Sequence, residues 1–582
     1  MTRCPALPLL SLALAFTGSA SSAPADVAKP NVIVVLSDDQ GYGDFSCHGN
    51  PVLKTPNLDR LHAESVRLTD FHVAPMCSPT RGQLMTGLDG LRNGATSVTA
   101  GRMFVRRGLP TMADVFKMNG YRTGQFGKWH LGDTYPYLPN QRGFDEAVYH
   151  LGFGVTSIAE PWLNDCFDPR YYHNGVLTRY KGYCTDIWFD LAVGWIKERA
   201  ARREPFFVYL PTNAPHGPHW CPDKYKQPYE GKGPAGFFGM IANLDENMGR
   251  LDTVLKDAGL RDNTIVIFMN DNGGTAGVRL FNAGMRGMKT QYYEGGHRAA
   301  CFVRWPAGNL RKPGNVDELA QVQDILPTLI DLCGLTAPKG ARFDGISLAG
   351  RLQGRAEPPI ERMCVVQYGQ KPEKWDCCVM WRKWRLVKGK ELYDLKTDPG
   401  QMTNIADKEP VVLKTMTEFY DGWWAGVEKL VDDFSPISVG SAKQNPVCLT
   451  AAEWANQYCD NLNDLRSGVR RNGPWHLLVE QDGEYEVGLR RWPREAGAAI
   501  RAGVPAFKGV DGGLPAGTAL PVRKARLKIA GLDEMQPVGE KDEEVVFTVL
   551  LKAGARLPMQ SWFYDADGQE LCGAYFAYVR RK

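Results

Sequence analysis

Two segments of the chain are apolar without a break and rich in β-branched residues: 31–36 (N-V-I-V-V-L) and 264–269 (T-I-V-I-F-M). A strand covered on one face alternates apolar and polar positions, whereas an unbroken run suits a strand buried on both faces. Residues 205–210 form a third candidate strand. Residues 186–203 and 239–258 between these runs carry helical patterns. Strand alternating with helix predicts an α/β domain built on a mainly parallel sheet flanked by helices.

The pattern shortens beyond about residue 346. Residues 362–367, 377–381 and 384–387 read as short strands, followed by Glu391-Leu392-Tyr393-Asp394-Leu395 and the turn signal Thr397-Asp398-Pro399-Gly400. Residues 411–430 read as a helix. After a polar stretch at 432–444, residues 475–479 and 485–492 flank Asp482-Gly483, which predicts a β-hairpin. Residues 526–529, 545–551 and 574–579 continue the β pattern. The expected division is a catalytic α/β domain over 24–345, a small subdomain over 346–435 and a β-rich accessory domain, a sandwich, over 445–582.

The first 23 residues read as a signal peptide: Arg3, an apolar run over 6–16, then small residues over 18–23. Cleavage is expected between Ala20 and Ala25. No other segment reaches the roughly 18 apolar residues of a membrane span, so no integral membrane segment is expected. The chain is read as exported, to a periplasm or the extracellular space, or to a lysosome in a eukaryote. With 582 residues it exceeds one ordinary domain. A net charge of +4 is small for that length and favours neither nucleic acid nor a membrane surface as partner. Setting aside Cys4 and Cys77, twelve of the fourteen cysteines remain, an even number that permits disulfides in an exported chain. No C-x-x-C pair marks a zinc site.

The candidate chemistry gathers at the strand ends. The run at 31–36 leads into Asp38-Asp39, and the run at 264–269 into Asp271-Asn272. Ligands collect at the carboxyl ends of strands in parallel sheets. Either pair alone would cap a helix or close a turn. The two together would repel without a cation, and hard oxygen donors suit Ca²⁺, with Mg²⁺ as the other candidate.

Between the pairs stands Cys77-Ser78-Pro79-Thr80-Arg81, a C-x-P-x-R motif followed by Thr86-Gly87. Downstream come Gly127-Lys128-Trp129-His130-Leu131-Gly132, Ala214-Pro215-His216, and Lys289 opening K-T-Q-Y-Y-E-G-G. This set, in this order, resembles the type I (formylglycine-dependent) sulfatases, arylsulfatase-like members of the alkaline phosphatase superfamily. The resemblance spans residues 28–432. It implies an alkaline-phosphatase-like fold with a small C-terminal antiparallel subdomain. It also implies that a formylglycine-generating enzyme oxidises Cys77 to formylglycine (3-oxoalanine).

By resemblance, Asp38, Asp39, Asp271 and Asn272 hold the metal together with residue 77. Arg81 pairs with the formylglycine, Lys128 and Lys289 contact the substrate sulfate, His130 bonds the formylglycine diol, and His216 gives the leaving oxygen its proton. His219 is a nearby competitor for that last role. An extended segment would point Lys128 and His130 the same way. The diol attacks sulfur in line with the ester oxygen. The second hydroxyl then loses its proton and expels sulfate, an exit no plain alcohol has.

The implied function is hydrolysis of a sulfate ester on a sulfated small molecule or glycan. Two alternatives stay open: a phosphonate monoester or phosphodiester hydrolase of the same superfamily, and an inert glycan-binding relative. The latter would use Trp475, Tyr485, Trp492, Trp562, Tyr575 and Tyr578 of the tail, though aromatic residues in strands are mostly core. The loops at 135–184 and 219–236, rich in Tyr, Trp and Pro, are expected to line the substrate pocket.

Overall fold

The computed structural model describes residues 1–2 and 29–582, so the signal-peptide reading lies outside the described residues. Its centre is a ten-stranded sheet. The strands that matter for function are β1 (Asn31–Ser37), β2 (Arg122–Lys128), β3 (Phe206–Pro211) and β4 (Thr264–Asn270). They lie side by side in the order β4-β1-β3-β2, and every neighbouring pair is parallel.

The unbroken apolar runs have the cause their pattern indicates. Val32, Val34 and Leu36 face one core with Tyr209, Ile267 and Met269, while Ile33 and Val35 face the other with Val208, Leu210 and Phe268. Both faces of the sheet are dry, so both residue parities must be apolar. Helices Cys184–Ala201 and Ala235–Asp257 supply Trp188, Ile196, Leu244 and Leu255 to the second core.

Four antiparallel strands, Met363–Gln367, Cys377–Trp381, Trp384–Val387 and Glu391–Asp394, form a small sheet. Helix Pro410–Ala425 packs Met416, Tyr420 and Trp424 on one face of it. The helix stops at Gly426, short of the expected residue 430, and Glu428–Leu430 is a separate 3₁₀ turn. The other face meets Tyr292 of the large domain. Arg385, from this sheet, donates to Glu294 Oε1 (2.7 Å), and both side chains are buried.

The tail folds as two sheets around one core. The first runs Ile437–Val439, Trp475–Val479, Arg556–Tyr564, Lys524–Ile529, Leu532–Pro537, and Glu570–Cys572 also pairs with its third strand. The second runs Val447–Thr450, Phe576–Arg581, Gly483–Arg490, Val545–Leu551. Leu477 and Met559 of one sheet and Val487 and Phe547 of the other meet in the shared core, the construction of a sandwich.

One expectation for the tail fails. Trp475–Val479 and Gly483–Arg490 do not form a hairpin, because Asp482-Gly483 carries the chain from one sheet to the other. The first strand bonds to Arg556–Tyr564 and Ile437–Val439, the second to Val545–Leu551 and Phe576–Arg581. Asp482 Oδ1 accepts from Ala553 N (2.6 Å), in the loop before Arg556. A local turn signal is here outweighed by the burial of Trp475 and Tyr485 from opposite layers. The aromatic residues of the tail strands are mostly core, as residues of that kind in strands usually are: Trp475, Tyr485, Trp492, Tyr575 and Tyr578 are all in the shared core. Trp562 is half-buried beneath the Arg526 guanidinium.

Among the described residues every cysteine is a free thiol, and no helix is long and apolar enough to cross a membrane.

Candidate active site

The parallel register of β1 and β4 pairs Ser37 with Asn270, so the two acidic pairs leave the sheet together. Asp271 N donates to Ser37 O (3.1 Å), and Asp39 N donates to Asp271 Oδ1 (3.2 Å). Asp39 has a φ of 66°, a left-handed conformation that Asp tolerates better than most residues. The loops that follow pack backbone on backbone. A Cβ at Gly41 would lie 2.7 Å from Gly274 Cα, so the glycine there serves close approach.

Cys77 is the first residue of helix α1 (Cys77–Thr86), all of whose residues are buried. Its Sγ lies 3.4 Å from Asp38 Oδ1 and 3.7 Å from Lys289 Nζ. Arg81, one turn on, shares that helix face. Its guanidinium donates to Asp271 Oδ2 (2.8 Å) and Lys128 O (3.1 Å) and lies 3.7 Å from Asp38 Oδ2. Lys128, the last residue of β2, donates to Asp38 Oδ2 (2.6 Å). Lys289 Nζ donates to Asp39 Oδ1 (2.5 Å), and its own backbone N–H binds Gly274 O (3.1 Å).

His130 is not on an extended segment. Its φ is 57°, because the chain turns out of the sheet immediately after Lys128. His130 Nε2 bonds Val98 O (3.0 Å), which leaves the buried Nδ1 without a partner as an acceptor. His216 lies 3.7 Å from Asp39 Oδ2 through Nε2, and its Nδ1 bonds Gly217 O (2.7 Å). His219 instead packs edge-on against Phe237. It does not share the cavity that Cys77 opens into.

Oxygens of Asp38 and Asp39, Cys77 Sγ and a His216 nitrogen all lie within 4.8 Å of one another. Asn272 Nδ2 donates to Asp39 Oδ1 (3.0 Å), while its Oδ1 is buried and unpartnered. Three buried carboxylates, an orphaned amide oxygen and no soft ligand other than residue 77 form a donor set that fits a hard divalent cation. Arg81, Lys128 and Lys289 already balance the three carboxylates. A dication would thus leave a net positive hollow, which an anionic ester would fill.

The titration shifts follow from burial and this charge pattern. Burial, then Asp38, pushes Asp271 up to about 6. Burial also works against charge on Asp39, but Lys289 and His216 outweigh it and hold that carboxyl well below its usual range. Burial lowers His216 to about 3, with Asp39 opposing. Burial and then Asp38 push the Cys77 thiol above its ordinary value.

A cavity of about 540 Å³ opens above this cluster, within the range of small-molecule sites. Cys77, His130, His216 and Lys289 form its floor. Phe153, Thr156 and Trp220 come from the two loops expected to line it. Tyr458, Asn461, Asn463, Gly513 and Leu514 come from the tail and were not foreseen. No local motif marks them, since they reach the cavity only through the packing of the tail on the large domain.

A buried acidic cluster ringed by cations, at the carboxyl end of a parallel sheet, suits a divalent cation and an anionic ligand. The family model described as Sulfatase matches residues 30–335. N-acetylgalactosamine-6-sulfatase of Homo sapiens is 32% identical over 399 residues, covering 63% of this chain and 75% of that protein. Arylsulfatase A of Homo sapiens is 33% identical over 376 residues, covering 57% of this chain and 70% of that protein. The crystal structure of Ps i-CgsB in complex with k-i-k-neocarrahexaose superposes with a TM-score of 0.60 at 25% identity, covering 68% of this chain and 92% of that one. The chain belongs to the sulfatase family, and its class is that of the sulfuric ester hydrolases.

Proposed function

We propose that the protein removes sulfate from a sulfated carbohydrate, using formylglycine at position 77 and a calcium ion held by Asp38, Asp39, Asp271 and Asn272. The observation that carries this reading is the placement of Cys77 Sγ. It lies 3.4 Å from a metal-competent carboxylate and 3.7 Å from Lys289, on the floor of an open cavity. That sulfur marks where the formylglycine oxygens would sit. Hydrated formylglycine supplies one oxygen to attack sulfur and a second hydroxyl whose deprotonation releases sulfate and restores the aldehyde. The cation, when bound, lowers the pKa of the attacking hydroxyl and draws charge from the sulfate.

The remaining tasks fall to the chain's own side chains. Arg81 fixes Asp271 and, through Lys128 O, the end of β2. Lys128 and Lys289 place positive charge where sulfate oxygens would lie. The free His130 Nδ1 accepts a hydroxyl proton bond and orients the diol. His216 delivers a proton to the departing alcohol. Burial favours its neutral form, and a bound sulfate ester is the negative charge that would favour its protonation.

The carbohydrate part of the reading draws on the cavity's aromatic and amide lining and on the neocarrahexaose bound to the structural relative. Export of the chain and its division near residues 345 and 445 belong to the same reading. The start of the sandwich lies slightly earlier, because Ile437–Val439 joins its first sheet. The test is release of inorganic sulfate from a panel of sulfated glycans, run beside matched phosphodiesters and phosphonate monoesters. Faster turnover of the phosphorus esters would replace this reading with the hydrolase alternative.

A further inference from the structure

Two segments far along the chain reach back to the cavity above Cys77. Residues 456–463 lie against the loop that follows strand Glu146–His150. Leu462 N donates to Thr156 O (2.9 Å), Ile158 N donates to Asp460 O (3.1 Å), and Ser157 Oγ donates to Asp460 Oδ1 (2.5 Å). Asp460 is 2% exposed, so water does not compete for these bonds. Residues 509–514 grip the other rim. Cys221 N donates to Asp511 Oδ2 (2.8 Å), the Lys226 ammonium pairs with the same carboxylate, and Val510 N donates to Asp165 Oδ2 (3.0 Å). Each such bond contributes about 1 kcal/mol net, and together they make both segments fixed parts of the cavity wall.

What the wall presents is specific. Tyr458 is 38% exposed and lines the cavity with Asn461 and Asn463, as do Phe153, Thr156 and Trp220 of the large domain. Asn461 Oδ1 accepts from Asn463 N, which fixes the side chain and leaves its amide N–H groups as donors. Among the described residues lining the cavity, the only charged or chargeable groups apart from Tyr458 are His130, His216, Lys289 and residue 77, all on the floor. Arg471 lies 5.9 Å from the Tyr458 ring, but it is bound to Asp464 Oδ2 (2.8 Å) and Tyr458 O (2.7 Å) and does not line the cavity.

We propose that this wall is a binding subsite for the sugar that carries the sulfate, and that this sugar bears no second anionic group. The inference rests on the sulfatase reading and adds to it the tail's role and the substrate's charge. An aromatic face with neutral amides suits the C–H face and hydroxyls of a pyranose ring. A uronate carboxylate or second sulfate on that ring would be desolvated with no cation to meet it, which is unfavourable. The floor takes the one sulfate and the wall takes the neutral remainder.

The experiment has two arms. In the first, the whole protein is assayed on lactose monosulfate, lactose disulfate and p-nitrophenyl sulfate. The expected result is at least a tenfold preference in kcat/KM for the monosulfate over the disulfate. Tyr458→Ala should lower kcat/KM on lactose monosulfate about tenfold, chiefly through KM, with a smaller loss on the aryl ester. Tyr458→Phe should retain the wild-type value. In the second arm, calorimetry compares lactose monosulfate binding to Cys77→Ala and to Cys77→Ala/Tyr458→Ala, with about tenfold weaker binding expected in the double variant. An unchanged Kd, equal losses on sugar and aryl substrates, or a preference for the disulfate would each overturn the subsite. Binding that depends on Tyr458 without any turnover would leave the subsite standing and refute the sulfatase reading instead.

Discussion

The floor and the wall of the cavity are built by opposite means. The floor consists of charged groups with almost no exposure: Asp38, Asp271, Arg81 and Lys128 are each at 0%. Asp38, Asp271 and Lys128 are held at strand ends whose register the sheet sets, and Arg81 by the helix Cys77–Thr86. The wall consists of neutral groups on a loop, the start of a short helix and a two-residue strand, all carried by the tail, and Leu514 among them is part of the sandwich core. Burying three carboxylates against three cations opposes folding unless every partner stays in place. The floor therefore depends on completeness, whereas the wall can change one side chain at a time. The contrast assigns chemistry to the large sheet and substrate choice to the tail.

The contrast breaks most visibly at residue 77. Cys77→Ala should reduce turnover to background on every sulfate ester while shifting the melting temperature little, as measured by sulfate release beside a thermal scan. Next comes His216→Ala. Loss of a positioned general acid is expected to cost about 10²–10⁴-fold on alkyl sulfates and much less on activated aryl sulfates. Equal losses on both classes would move the proton donor elsewhere.

The same residue gives a pH test. Burial lowers its pKa to about 3 in the ligand-free protein and a bound sulfate ester opposes that shift, so with substrate bound the protonated fraction falls as pH rises through a value above 3. Turnover of alkyl sulfates should therefore decline toward alkaline pH while aryl sulfate turnover changes less, and the paired pH–rate profiles check this.

Smaller effects sharpen the comparison on the stability side. Arg81→Ala leaves Asp271 without its 2.8 Å partner and should destabilise the fold by about 3–5 kcal/mol, measured by denaturant unfolding. Asn463→Ala on the exposed wall should stay within about 0.5 kcal/mol of wild type in the same assay. Calcium at about a hundred times its Kd should add about 2.7 kcal/mol, seen as a rise in melting temperature that a chelator reverses. A Tm indifferent to both calcium and chelator would remove the ion from the floor.

The floor could be read from sequence because each part of it is local. A buried strand announces itself by an unbroken apolar run, and the residues just past its end fall at the carboxyl edge of the sheet. Hence the strand-end pattern singles out Asp38, Asp39, Asp271 and Asn272, while Cys77 and Arg81 stand out through the resemblance of their C-x-P-x-R motif. The wall could not be read this way. Tyr458 and Leu514 come to line one cavity with Phe153 only once the tail packs on the large domain, where Met103, Phe104, Tyr137 and Ile158 join the sandwich core, and nothing in their local sequence encodes that packing. The Asp482-Gly483 turn failed for a related reason, since a local preference cannot say whether the strands beside it share a sheet. His130 shows the limit even within a motif: two residues past Lys128 the chain has already left the extended conformation.

The central claim concerns what residue 77 is when the enzyme works. Mass spectrometry of the peptide containing it, taken from preparations of different specific activity, tests that directly. The account predicts an aldehyde in place of the thiol, in a fraction that rises in proportion to sulfate-releasing activity. Full activity in a preparation whose residue 77 is entirely unmodified cysteine would contradict it.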